Sequence, residues 1–137
     1  MGRILAIDYG TKRTGIAVTD PEKIIATPLT TVLTNILFDF LKDYIAKEPV
    51  EKIIVGFPER DHDIPSVIQE KIRIFVEQLK KQLTQEIVMV DERYTSKLAF
   101  QSMIDGGLKK KRRRDKAMID KVSATIILQD FLKTLEQ

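Results

Sequence analysis

The apolar residues of this chain change their spacing once, near Asn35, and that change restricts the fold more than any other feature. Upstream, they come in short runs separated by turn residues. Arg3–Asp8 and Thr14–Asp20 read as strands joined by a short turn containing Gly10, and Pro21–Glu22 turns into a third strand over Lys23–Thr27. Downstream, Leu37, Phe40, Leu41, Tyr44 and Ile45 recur at three and four residues, which predicts an amphipathic helix closed near Pro49. Lys52–Phe57, "KIIVGF", is a short β-branched run of the kind buried on both faces of a sheet. Ser66 and Gln69 make an S-x-x-Q capping box for a helix on Ile68, Ile72, Phe75, Val76, Leu79 and Leu83. Glu86–Glu92 is a further buried strand. Thr95 is a candidate N-cap for a helix to about Ile104, stopped by Gly106–Gly107, and Asp115 can cap a last helix to about Leu135.

The order βββαβαβαα predicts an α/β fold: a mixed five-stranded sheet with helices on its faces, right-handed crossovers and the first strand central. It is the element order of the RNase H-like fold. With no repeat and no linker-like break in 137 residues, one domain over residues 1–137 is expected. No apolar stretch is long enough to span a bilayer, and the four apolar residues ahead of Asp8 are too few for a secretory signal, so no membrane partner is expected.

Composition narrows the chemistry. The chain has no cysteine, which excludes disulfides, zinc–thiolate sites and thiol nucleophiles and suits a cytoplasmic protein. Its one histidine, His62, lies in the polar loop "PERDHDIP" and reads as plain surface, which argues against multi-His metal centres and Ser–His–Asp catalysis. Net charge is only +3, yet Lys109, Lys110, Lys111, Arg112, Arg113 and Arg114 are consecutive. A basic cluster on a nearly neutral chain points to a polyanionic partner.

The acids carry the sharper signal. Asp8 ends a strand of central type, where a carboxylate is either a solvated turn residue or a buried ligand. Asp91 and Glu92 end another strand, at the sheet edge where α/β proteins place their ligands. Successive strand residues face opposite sides, so only one of the two is expected to share a site with Asp8. Asp120 falls on the helical stripe Asp120, Ala124, Ile127, Phe131, which is otherwise apolar and should face the sheet. The plainer alternative is a helix-dipole acid in the second turn. Converging carboxylates repel unless a cation sits between them, and oxygen-only ligands select Mg²⁺ or Mn²⁺. Two such ions form the clamp used in phosphodiester hydrolysis.

Four ordered stretches then coincide: "DYGTKRTGIAVTD" (Asp8–Asp20), "VGFP" (Val55–Pro58), "DERYTS" (Asp91–Ser96) and "IDKVSATIILQDFL" (Ile119–Leu132). Together they resemble the YqgF/RuvX family, described as Holliday junction resolvases or pre-16S rRNA nucleases. The resemblance implies an RNase H-like fold and a nuclease with Mg²⁺ or Mn²⁺, two ions in all. It implies catalytic, metal-binding acids at Asp8, Glu92 and Asp120, with Asp91 in reserve. Two departures stand out: "ERDHDIP" follows "VGFP" where relatives carry a Gly-containing loop, and Ser123–Ala124 stands where relatives often have two alanines; in addition, the fourth acid of the RuvC-type last helix has no equivalent.

Around these acids, Lys12, Arg13 and Arg93 are candidates for phosphate contact, as are the six cations Lys109–Arg114 just ahead of the Asp120 helix. Gly10 is expected to supply a positive φ. Tyr9 and Tyr94 either stack on bases or pack beside the strand ends. The expected substrate is structured nucleic acid, most of all pre-16S rRNA at its 5′ end, with branched DNA as the alternative. A non-catalytic nucleic-acid adaptor and a phosphate-binding module of the sugar-kinase type are the competing classes. With every strong apolar stripe needed for the core, a monomer or weak homodimer is expected.

Overall fold

The computed structural model describes residues 2–58, 66–91 and 116–135. Strands β1 (Arg3–Asp8), β2 (Arg13–Thr19) and β3 (Ala26–Leu33) come first. A 3₁₀ turn at Thr34–Ile36 leads into α1 (Leu37–Lys47), followed by β4 (Val50–Phe57), α2 (Ser66–Gln82) and β5 (Glu86–Asp91). The helix over Lys116–Leu135 is α3 here. The expected helix from Thr95 to Ile104 lies outside the described residues. The sheet order is β3-β2-β1-β4-β5, so the first strand is central as expected. β1 is antiparallel to β2 and β2 to β3, whereas β1–β4 and β4–β5 are parallel. This is a mixed five-stranded α/β sheet. No described helix is long and apolar enough to cross a membrane.

Strand pleating divides the core in two. Leu5 and Ile7 of β1, Ile16 and Val18 of β2, and Ile53 and Val55 of β4 pack with Leu37 and Leu41 of α1 and with Ile72, Phe75, Val76 and Leu79 of α2. The alternate residues Ile4, Ala6, Ala17 and Ile54 pack with Ala124, Ile127 and Leu128 of α3. Each large aliphatic side chain buried in this way stabilises the fold by about 1.5–3 kcal/mol. Ile53, Ile54 and Val55 are all fully buried, as the "KIIVGF" run predicts for a strand covered on both faces.

Four expectations need correction. β5 is an edge strand whose residues are half-buried or exposed, not the buried strand expected there. The third strand is not Lys23–Thr27 but Ala26–Leu33. The Asp20 carboxylate captures the chain first: Oδ1 accepts the backbone N–H groups of Ile24 and Ile25 at 2.8 Å each, and Oδ2 accepts that of Glu22 at 3.2 Å. These bonds hold the Asp20 carboxyl below its ordinary value, the bond from Ile25 most of all. Lys23 takes a left-handed φ of 62°, which no strand residue would adopt. Gln69 reaches beyond its own helix end: its Nε2 donates to the Pro58 carbonyl at 2.7 Å, tying the start of α2 to the end of β4. Gly10 does not need a positive φ. Its requirement is steric, because a Cβ there would lie 2.2 Å from the Arg13 carbonyl oxygen.

Candidate active site

The site begins with the pleat of β1. Ile4 and Ala6 face α3, so Asp8, two residues on, leaves the sheet on the same side. Directly opposite Asp8 on β2 is Gly15. A Cβ at Gly15 would lie 1.9 Å from the carbonyl oxygen of Asp120 and 2.3 Å from its carbonyl carbon. The second turn of α3 therefore rests on bare β2 backbone, one strand away from Asp8, and neighbouring strands are only about 4.7–4.9 Å apart. Ala6, Ala17 and Ala124 continue this thin layer, all fully buried. Small residues here let the helix come close enough to bring Asp120 to the end of the central strand.

Asp120 lies on the predicted stripe, with Ala124 and Ile127 buried against the sheet and Phe131 packed beside them. Its Oδ2 is 3.5 Å from Nε of Arg13, and the two side chains are 27% and 30% exposed. Arg13 is the first residue of β2 and shares the α3 face with Gly15 and Ala17. Arg13, expected to serve phosphate, is thus the counter-ion of a candidate acid. Lys12 is exposed on the adjoining turn.

That turn is fastened by two threonines. The Gly10 N–H donates to Thr14 Oγ1 at 3.5 Å, Thr14 and Thr34 hydroxyls lie 2.9 Å apart, and Thr34 Oγ1 donates to the Gly10 carbonyl at 2.6 Å. Since Thr34 directs its proton to Gly10, the Thr14 hydroxyl donates to Thr34. The Thr34 N–H also donates to the Lys12 carbonyl at 3.0 Å. On the far side of the turn, Tyr9 packs against Phe75. Burial pushes the Tyr9 hydroxyl above its ordinary pKa, so it stays a protonated donor at neutral pH.

Of the other candidates, Asp91 is exposed and falls on the face of Ile87, opposite to Val88 and Val90, which pack towards α3. The structure therefore does not bring Asp91 to Asp8. Glu92, Arg93, Lys109, Lys110, Lys111, Arg112, Arg113 and Arg114 lie outside the described residues, as do His62, Tyr94 and Thr95. Among the described residues no three His, Cys, Asp or Glu side chains gather as a metal-binding group. Asp8 and Asp120 supply two carboxylates, a donor set that suits Mg²⁺, which is commonly held by one or two carboxylates with waters and substrate phosphate. Sequence reasoning missed Gly15, Thr14 and Thr34. Only Gly15 carried a signal, since a glycine inside a strand marks close approach of another backbone.

Known proteins share this sequence and this fold. The model of the RuvX family, described as Holliday junction resolvase, matches residues 2–134. A Christiangramia forsetii protein named "Putative pre-16S rRNA nuclease" is 57% identical over 133 residues, covering 96% of this chain and 98% of that protein. A Phocaeicola vulgatus protein of the same name is 56% identical over 135 residues, covering 98% of this chain and 97% of that one. Among solved structures, Fowlpox virus resolvase in complex with Holliday junction DNA superposes with a TM-score of 0.62 at 10% identity, covering 98% of this chain and 99% of that one. T. thermophilus RuvC in complex with a Holliday junction gives 0.56 at 14% identity, covering 97% and 96%. At those identities the two structures speak for the fold, and the family model and close relatives for the lineage. The chain belongs to the RuvX (YqgF) family of nucleases, built on the RNase H-like resolvase fold.

Proposed function

We propose that this nuclease matures the 5′ end of pre-16S rRNA in the cytoplasm, hydrolysing phosphodiester bonds with Mg²⁺ or Mn²⁺ held by Asp8, Glu92 and Asp120. The observation that carries the reading is the Gly15 contact, which sets Asp120 beside the strand end bearing Asp8. The names of relatives more than half identical over nearly the whole chain supply the substrate. Asp91 lies on the face of the sheet opposite to Asp8, which argues against Asp91 as the third acid and supports the choice of Glu92.

When bound, a pair of divalent ions activates water and stabilises the leaving oxygen. The chain's own groups do the rest. Asp8 and Asp120 would supply carboxylate oxygens to hold the ions at this end of the sheet. Arg13 neutralises Asp120 while the corner holds no divalent ion, and is placed to turn to a substrate phosphate once one is bound. Lys12, Arg93 and the run Lys109–Arg114 hold the backbone of the nucleic acid by sequence-independent, salt-sensitive attraction. The protein acts as a single domain, a monomer or weak homodimer.

A second reading, resolution of Holliday junctions, is favoured by the description of the family model. Parallel cleavage of a pre-16S rRNA 5′ fragment and a four-way DNA junction separates the two. The expected result is Mg²⁺- or Mn²⁺-dependent cleavage of the RNA, reduced roughly 10²–10³-fold in Asp8→Asn, the usual loss on removing a preorganised electrostatic group. Full activity in Asp8→Asn would remove the mechanism, and cleavage of the junction alone would move the protein to the second reading.

A further inference from the structure

The described residues form another concavity at the same end of the sheet but on its opposite face. It is a cleft of about 390 Å³ between the start of α1 and the middle of α2, within the usual size of small-ligand sites. Half-buried Tyr9 and Phe38 give it aromatic surface, and buried Phe75, with its ring centroid 5.2 Å from that of Tyr9 and the planes at 38°, contributes to its floor. Asn35, Gln78 and Lys71, two amide-bearing residues and a cation, also line it. The Lys42 ammonium lies 5.6 Å from the Phe38 ring, so a second cation stands beside the cleft. No carboxylate is among its described lining residues.

This combination has a chemical sense. Aromatic surface stacks on any base. Amides offer both donors and acceptors to a base edge. Cations without carboxylates suit a phosphate backbone and disfavour a metal ion. The position matters as much. Tyr9 follows Asp8 directly, their Cα atoms are about 3.8 Å apart, and their side chains leave opposite faces of the sheet. A strand lying across the turn between them can touch both.

We propose that the cleft is a nucleotide subsite that receives one unpaired base of the substrate RNA strand against Tyr9 and Phe38, over a floor that includes Phe75, while the adjoining phosphate lies over the turn of Gly10–Arg13. The proposal rests on the nuclease reading for its substrate, but its test does not depend on cleavage. Binding of a short single-stranded RNA is measured by fluorescence anisotropy without divalent metal, moving one abasic site along the strand. Wild type should lose about fivefold or more in affinity at one position, the scale of a lost stacking contact. In the double variant Asn35→Ala/Gln78→Ala and in Lys71→Glu, all at exposed positions, that dip should shrink or vanish while the thermal midpoint holds. A flat scan in wild type, no binding of the RNA at all, or an unchanged dip in both variants overturns the proposal. Titration with AMP and UMP forms the other arm: weak binding that perturbs the Tyr9 and Phe38 ring resonances is expected. A mononucleotide bound tightly beside a flat scan would make this a free-nucleotide site and overturn the strand subsite. Cleavage lost in Asp8→Asn with a flat scan would sink this inference alone; a dip with no cleavage by wild type would sink the nuclease reading alone.

Discussion

The two faces of the sheet follow different packing rules. The face under α1 and α2 is filled by large side chains, among them Leu5, Ile7, Leu41, Ile53, Phe75 and Leu79. The face under α3 is lined near the site by Ala6, Gly15, Ala17 and Ala124. Bulk on one side keeps helices at a distance and removes much apolar area from water. Smallness on the other gives up burial and lets a helix backbone touch a strand. Stability is concentrated on the first face, and the candidate chemistry on the second.

The separation can be broken by mutation. The largest stability loss is expected from Leu41→Ala, a fully buried position of the bulky face. It should cost about 2–5 kcal/mol in urea unfolding, with cleavage by the folded protein unchanged. If that variant loses cleavage as Asp8→Asn does, the two faces are not independent. Gly15→Ala should cost less stability, about 1–3 kcal/mol from overpacking, but should impair cleavage at temperatures where it is still folded. Wild-type cleavage in Gly15→Ala would show that the close seat of Asp120 is dispensable. Arg13→Gln removes the cation beside Asp120. Calorimetry should then show Mn²⁺ bound several-fold more tightly, while RNA affinity falls and its logarithmic salt dependence drops by about one. Weaker Mn²⁺ binding would contradict the counter-ion role. The smallest effect is a gain. Ser123 is fully buried and its hydroxyl has no hydrogen-bond partner among the described residues, so Ser123→Ala should raise stability by roughly 1 kcal/mol. A loss would mean that the hydroxyl is satisfied in solution.

Periodicity made much of the core legible from sequence, because large apolar side chains announce their spacing. β1, β4 and the stripe through Asp120 were all readable in this way. The third strand was not. Ile24 and Ile25 look like strand residues, yet they are 66% and 63% exposed, since the Asp20 carboxylate draws their N–H groups into a turn. The actual strand contains Pro28 and several threonines, a weak apolar signal suited to an edge. Gly15 is hard to read for a related reason: a close approach is recorded in the sequence only as a missing side chain. Thr14 and Thr34 are twenty residues apart, and nothing in either neighbourhood shows that they meet.

The two threonines have a consequence for binding. The hydrogen bonds run from the Gly10 N–H through both hydroxyls and back to the Gly10 carbonyl, a closed circuit in which each hydroxyl accepts once and donates once. Fixing a residue's backbone costs about 1–2 kcal/mol of conformational entropy. Here that cost falls on the folding of the chain, so a polyanion arriving at the Lys12 turn meets a surface whose shape is already set and loses less affinity to loop ordering.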